Sequence, residues 1–326
     1  MRLRVHKISP KSGLWAALAL AVILSACGPT PPTPAPTAVP ATEARPTATG
    51  IPSTPTQTPG PAPLSMGSAA SPVPSPTAEP LPLATGLDPA AWMSWPVIPV
   101  VTQNVREIYA RGLSLGNDPT AFSILGDCQS TPDTFLGLYV VDAEAYAALS
   151  PDLQETVDFF GSSFNRESPT AKSGTTSGAL LWAEWHEGKF GCEAGESPLD
   201  CELRLHKPSF ALITVGTHWE ARNETYMRKI IERLLDQGVV PILSTKADNR
   251  EGDHRLNLET AMLADEYNLP LWNFWPVTDD LPNRGLYTKK GDEHLGDIYL
   301  TDEALARHRL SALEALDAVW RAATGK

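Results

Sequence analysis

A stretch rich in proline, threonine, alanine and serine runs from Gly28 to about Gly86, and it limits what the rest of the chain can fold into. Most of the 31 prolines of this 326-residue chain lie there. Such a composition buries too little apolar surface to offset the entropy lost on ordering. Proline-rich chain is also stiff and extended, at about 3.1 Å per residue. We therefore expect a disordered stalk over residues 27–87 and one folded α/β domain over residues 88–326.

The first 26 residues have the features of a secretory signal, in the usual order. Four cations and no acid precede the apolar run Leu14–Leu24, and the segment ends in Leu-Ser-Ala before Cys27. The run has only about half of the roughly 20 residues that a membrane-spanning helix needs. The ending resembles a lipobox, which implies cleavage before Cys27 and acylation of its thiol. A signal peptide with a chance cysteine is the alternative. We expect an extracytoplasmic protein attached to the cell membrane through its lipid.

Charge and histidine spacing exclude two classes of partner. The net charge is −12, and it becomes four units more negative when the signal peptide is removed. A nucleic-acid-binding protein needs a basic surface, so we expect no nucleic acid partner. The histidines show no spacing typical of metal ligands, and we predict no metal and no cofactor.

The four cysteines divide into three groups. Cys27 is assigned to lipid, and Cys192 and Cys201 flank a short loop. In an exported protein such a pair is expected to form a disulfide. Cys128 is then left without a partner, so it is either buried and inert or kept for its chemistry.

Short apolar runs alternate with helical patterns in the folded domain. The runs predict four buried strands, at Ala121–Leu125, Phe210–Val215, Val239–Leu243 and Leu269–Phe274, although Pro241 would normally weaken the third. The helical patterns cover Thr102–Arg111, with Thr102 as N-cap, and then Ala221–Gln237, Arg255–Tyr267 and Thr301–Ala322. This alternation predicts a central parallel sheet covered by helices on both faces, an α/β/α sandwich. In such sheets the functional site lies beyond the carboxyl ends of the strands.

Four short blocks at or near those ends resemble the SGNH, or GDSL-type, hydrolase family. Gly126-Asp127-Cys128 resembles the first block, Gly-Asp-Ser. Gly174 matches the glycine that supplies an amide, and Gly216-Thr217-His218 occupies the place of Gly-x-Asn. Gly291-Asp292-Glu293-His294 resembles the closing Asp-x-x-His. The likeness covers roughly residues 100–323 and implies a flavodoxin-like α/β/α sandwich.

Three positions depart from the family pattern, and each departure affects catalysis. Cys128 replaces the nucleophilic serine, His218 replaces the asparagine, and Gly291 replaces the acid, with Asp292 one residue later.

The resemblance nevertheless implies a role for each block. Cys128 would be the nucleophile and His294 its base, oriented by Asp292 or Glu293. The amides of Cys128 and Gly174, with the His218 imidazole, would hold the oxyanion. Asp127 and Gly216 would support these groups.

Two other groups of residues offer alternatives near the site. Ser130 is an alternative nucleophile. Trp182, Trp185, His186 and Trp219 would either line a sugar or acyl groove or pack in the core.

Three functions remain open from the sequence. The first is hydrolysis or transfer of an acyl ester on a glycan or lipid at the cell surface. The second is a catalytically inactive descendant that binds such a ligand. The third is a structural stalk-and-head protein of the envelope.

Overall fold

The computed structural model describes residues 80–218 and 221–326. The helices are α1 (Gln103–Leu115), α2 (Leu138–Val141), α3 (Ala143–Ala147), α4 (Pro151–Phe160), α5 (Pro198–His206), α6 (Asn223–Asp236), α7 (Arg255–Glu266) and α8 (Asp302–Thr324). The strands are β1 (Asp118–Gly126), β2 (Pro208–Thr214), β3 (Val240–Ser244), β4 (Leu271–Trp272), β5 (Leu286–Tyr287) and β6 (Tyr299–Leu300). Short 3-10 turns connect them at Pro89–Ser94, Gly161–Ser163, Ala179–Leu181, Ala183–His186, Trp275–Thr278, Pro282–Gly285 and Glu293–Leu295.

The four predicted strands form one parallel sheet in the order β1-β2-β3-β4. A single parallel bridge between Gly126 and Ala171 extends the sheet beyond the end of β1. The observed strands agree with the predicted ones within a few residues, although β4 is shorter than the apolar run that predicts it.

Helices cover both faces of this sheet. Neighbouring strand residues point to opposite faces. Phe122 packs edge-to-face on Phe160 of α4, whereas Ser123 donates to Glu202 of α5. On the face of α4, Tyr109 of α1 stacks on Phe210, and Ser311 of α8 accepts a hydrogen bond from the Trp272 indole. The predicted α/β/α sandwich is therefore confirmed.

Pro241 is accommodated because its nitrogen needs no partner. The amides of Leu243 and Thr245 donate to Pro270 and Trp272, on the β4 side of the strand. Pro241 is two residues before Leu243, so its nitrogen faces that same side, where pairing with β4 has not begun.

The helix predictions also agree, with one difference at an N-terminus. Thr102 is the N-cap residue of α1, as predicted, but its hydroxyl makes no capping bond. It donates to the carbonyl of Asn268 instead, at 3.2 Å. At α8, Thr301 does cap, accepting from the Ala304 amide.

β5 and β6 form a separate antiparallel pair, with Leu286 opposite Leu300 and Tyr287 opposite Tyr299. The pair holds the intervening residues 288–298 as one loop, and that loop carries the closing sequence block. No helix among residues 80–218 and 221–326 is long and apolar enough to cross a membrane. The predicted signal peptide, Cys27 and nearly all of the stalk lie outside the described residues.

Candidate functional site

The parallel register brings the loops after β1, β2 and β3 to one edge of the sheet. Gly126 pairs with Thr214 and Ile213 pairs with Leu243, so these strands end side by side. The Gly126 amide donates to Thr170 at 2.9 Å, and its carbonyl accepts from Lys172 at 3.2 Å. These two bonds place the loop that contains Gly174 beside the loop after β1, which contains Cys128.

Close packing explains the glycine that ends β1. A Cβ atom at Gly126 would lie 2.3 Å from the Thr214 hydroxyl and 2.4 Å from the Cβ of Ser130. The Ser130 hydroxyl is buried and bonds that of Thr214 at 2.7 Å. Ser130 therefore supports the turn after β1 and is poorly placed for attack on a substrate.

Cys128 is free and half-buried, next to two carboxyl groups. Burial raises the pKa of its thiol to about 12, and the charges of Asp127 and Asp292 add to the rise. The Cys128 amide and the Lys289 ammonium act in the opposite direction. At neutral pH the thiol is therefore protonated, and attack on a carbonyl requires a base that removes this proton.

Asp127 is fully buried, and one of its carboxylate oxygens accepts from the Gln129 amide at 3.1 Å. Burial raises its pKa to about 7, and the neighbouring charge of Asp248 adds to this. The Thr217 side chain lies close enough to lower that pKa, so the turns after β1 and β2 meet here.

A buried ion cluster after β3 lies near Asp127 and Gly216. The Lys246 ammonium lies 2.6 Å from a carboxylate oxygen of Asp248 and 2.6 Å from one of Glu251. Both carboxylates are almost fully buried, and burial raises the pKa of Asp248. The sequence motifs did not indicate this cluster. The only signal was the sequence Lys-Ala-Asp after the end of a predicted strand.

Gly216 and His218 follow β2, the strand that lies between β1, which precedes Cys128, and β3, which precedes this cluster. Gly216 has φ +131°, a conformation that favours glycine, and a Cβ there would lie 3.5 Å from the Lys246 side chain. The Nε2 atom of His218 is buried, and no described residue bonds it. Burial lowers the His218 pKa, as does Arg250, whereas Asp248 and Asp292 act to raise it.

The Gly174 loop has a fixed shape. Gly174 has φ +82°, and the Thr175 hydroxyl donates to the Lys172 carbonyl at 2.7 Å. The Trp185 indole donates to Thr175, and the Lys172 ammonium lies 4.6 Å from the centre of the Trp185 ring. Trp185 thus braces the loop that would supply an oxyanion donor.

The other aromatic candidates differ from Trp185 in their surroundings. His186 is buried and its Nε2 lies 3.0 Å from the Glu196 carbonyl, whereas the Trp182 side chain is largely exposed. Trp219 lies outside the described residues.

The loop between β5 and β6 brings Asp292 to the site and leaves His294 exposed. The Tyr299 hydroxyl donates to Asp292 at 2.7 Å, and the Gln129 side chain donates to the Ile298 carbonyl, joining this loop to the loop that contains Cys128. His294 lies on the 3-10 turn Glu293–Leu295. The charges that act on the Cys128 thiol include those of Asp127, Lys289 and Asp292.

The disulfide prediction is confirmed. Cys192 and Cys201 are joined, with their Cα atoms 5.2 Å apart, and Cys128 is free. With Glu196, these two cysteines form the one group of three potential metal ligands found in the described part of the chain. Their sulfurs are already bonded to each other, so this group does not indicate a metal site.

Comparison with known proteins gives a structural similarity alone. No protein family model matches the chain, and no curated protein matches it. Among solved structures, it is similar to a GDSL-like lipase from Bacteroides thetaiotaomicron VPI-5482, with 16% sequence identity and a TM-score of 0.36. The match covers 67% of this chain and 98% of that one.

Proposed function

We propose that this chain is a surface-tethered acyl-ester hydrolase or acyltransferase of SGNH type, anchored through an acylated Cys27. The observation that carries the proposal is that β1 and β2 end side by side and that Gln129, next to the free Cys128 thiol, donates to Ile298 of the β5–β6 loop. An acyl-transfer site needs a nucleophile, a base, a group that orients the base, and donors for the oxyanion. Residues of all four types lie in these loops and in the Gly174 loop beside them.

The chemistry of these residues suits an ester. The Cys128 sulfur would attack the carbonyl carbon and form a thioester, while an imidazole takes the thiol proton. The amides of Cys128 and Gly174 would stabilise the oxyanion, and losing one such donor costs about 3–4 kcal/mol elsewhere. The substrate would be an acylated glycan or lipid within reach of the stalk.

The experiment compares the purified full-length protein with Cys128→Ala. We expect the wild type to hydrolyse p-nitrophenyl acetate or an acetylated sugar, and the hydrolysis rate of the variant to be at least about 100-fold lower. Full activity in Cys128→Ala would exclude the thiol as nucleophile. Ser130→Ala is the matched comparison for the neighbouring hydroxyl, and we expect it to keep activity if the protein remains folded.

One observation favours a second function, ligand binding without cleavage. Burial and two adjacent carboxyl groups oppose formation of the Cys128 thiolate, whose pKa is raised to about 12. A descendant that had lost its chemistry would tolerate this environment. In that case the wild type would hydrolyse no ester of a broad panel but would bind acylated sugars in calorimetry, and Cys128→Ala would leave the affinity unchanged.

A further inference from the structure

Two imidazoles are candidates for the base, and the structure places them differently. His294 is exposed at the tip of the β5–β6 loop. His218 is partly buried and follows β2, the strand that pairs with β1. Asp127 and Thr217 approach each other across these two strand ends. The residues that follow them in the chain are Cys128 and His218, so the thiol and the second imidazole lie on two adjoining turns.

Asp292 connects these two groups. It is the one residue whose charge acts on both the Cys128 thiol and the His218 imidazole among the interactions described for them. Its carboxylate is fixed by the Tyr299 hydroxyl at 2.7 Å. Tyr299 is itself fixed by the β5–β6 pairing opposite Tyr287.

The His218 ring has a nitrogen available for a new bond. Its Nε2 atom is buried, and no residue of the described chain bonds it. A buried nitrogen without a partner is costly, and a catalytic role is one of the explanations for such a group. The charged groups that act on this ring are Arg250, Asp248 and Asp292.

We propose that His218, rather than His294, is the base that takes the proton of Cys128, and that Tyr299 and Asp292 position its ring. This inference rests on the proposed function. It changes the role of His218 from the oxyanion donor that the sequence suggested to the general base, and it makes Asp292 and Tyr299 positioning residues.

The proton balance of the step is complete with these groups. The His218 nitrogen takes the proton from Cys128 sulfur as the sulfur bonds to the carbonyl carbon. The tetrahedral intermediate then expels the alcohol, which leaves with the proton from the imidazolium. Water attacks the thioester carbon and gives a proton to His218, and the departing sulfur recovers it as the thiol.

The test uses the full-length protein and two independent readouts. The first is hydrolysis of p-nitrophenyl acetate, for which His218→Asn is expected to lower kcat by at least about 100-fold, the usual contribution of a general base. The second is the rate of Cys128 alkylation by iodoacetamide at pH 8, measured by mass spectrometry, which needs no ester. We expect His218→Asn to slow alkylation by about tenfold or more, since the thiol loses its proton acceptor. His218→Gln is the second variant if His218→Asn does not fold.

The positioning residues have a matched control on the same strand pair. Tyr299→Phe removes the bond to Asp292 and is expected to lower kcat by about tenfold. Tyr287→Phe, at the paired position, should change it less than twofold. Because the Asp292 charge raises the His218 pKa, Asp292→Asn should also move the acidic limb of the kcat/KM profile to lower pH. A loss of kcat without a shift of this acidic limb would assign Asp292 a purely structural role and overturn its assignment as a positioning residue.

The two readouts separate the inference from the proposed function. If the wild type cleaves esters and His294→Asn abolishes both cleavage and alkylation while His218→Asn does not, the base is His294 and the inference is overturned. If the wild type cleaves no ester but its alkylation still depends on His218, the hydrolase proposal fails and the thiol–imidazole pair stands. Alkylation independent of both histidines, or absent up to pH 10, overturns the pair.

Discussion

The buried carboxyl group of Asp127 makes the stability of the protein depend on pH in a defined direction. Its pKa is raised from 3.8 to about 7, mainly by burial. Between those values the folded state binds more protons than the unfolded state, so stability falls as the pH rises through this window. One pKa unit corresponds to about 1.4 kcal/mol. The ionised carboxylate therefore costs about 4 kcal/mol of unfolding free energy above pH 7, and this cost vanishes below about pH 4.

Asp127→Asn removes this titration and keeps an oxygen that can accept from the Gln129 amide. We expect the unfolding free energy of the variant, relative to wild type, to increase by about 4 kcal/mol between pH 4 and pH 8. Urea denaturation followed by tryptophan fluorescence measures it at each pH. Asp133→Asn, which changes an exposed carboxyl group, is the control and should give a far smaller pH-dependent difference. If the relative stability of Asp127→Asn stays constant from pH 4 to pH 8, burial of an ionisable Asp127 is refuted.

Three further predictions concern the backbone and the covalent links. Replacing both Cys192 and Cys201 by serine should lower the unfolding free energy by about 2–3 kcal/mol, the value expected for a loop of this length, and denaturation with and without reductant on the wild type checks it. Gly126→Ala should destabilise by several kcal/mol or give insoluble protein, because its Cβ would lie 2.3 Å from the Thr214 hydroxyl; an unchanged melting temperature would contradict the packing. Radioactive palmitate should label the protein in cells through Cys27, and label that persists in Cys27→Ala would disprove the lipobox prediction.

The sheet could be predicted because its signals are local. Runs of buried apolar residues that end at glycine or a polar turn gave the position of every strand of the parallel sheet. Pro241 argued against a central strand, and the sequence could not resolve this because the answer depends on where β4 begins to pair. Similarly, threonine is a residue type that favours the N-cap position, yet the Thr102 hydroxyl donates to the carbonyl of Asn268, far away in the chain.

The site was only partly predictable for the same reason. Asp127 and Cys128 are adjacent in sequence and follow a strand, so their place was evident. The Asp127 pKa also depends on the charge of Asp248, which raises it, and on that of Lys246, which lowers it, and both residues come from the turn after another strand. Tyr299 gave no signal, because its importance comes from a single bond to Asp292 across the β5–β6 loop.

The departure at position 291 follows from the backbone of that loop. Gly291 has φ +96°, which side chains of L-residues rarely adopt, so an aspartate there would be strained. The acid is instead at Asp292, where Tyr299 holds it and where its charge reaches both Cys128 and His218. Asp292 is two residues before His294 in the chain, and its charge acts to raise the pKa of His218. If His218 is the base, as proposed above, then Cys128, His218 and Asp292 depend on one another, because the thiol needs the imidazole as its proton acceptor and the imidazole needs the carboxylate to position it. A single replacement among these three residues, such as His218→Asn, should then lower the rate of p-nitrophenyl acetate hydrolysis.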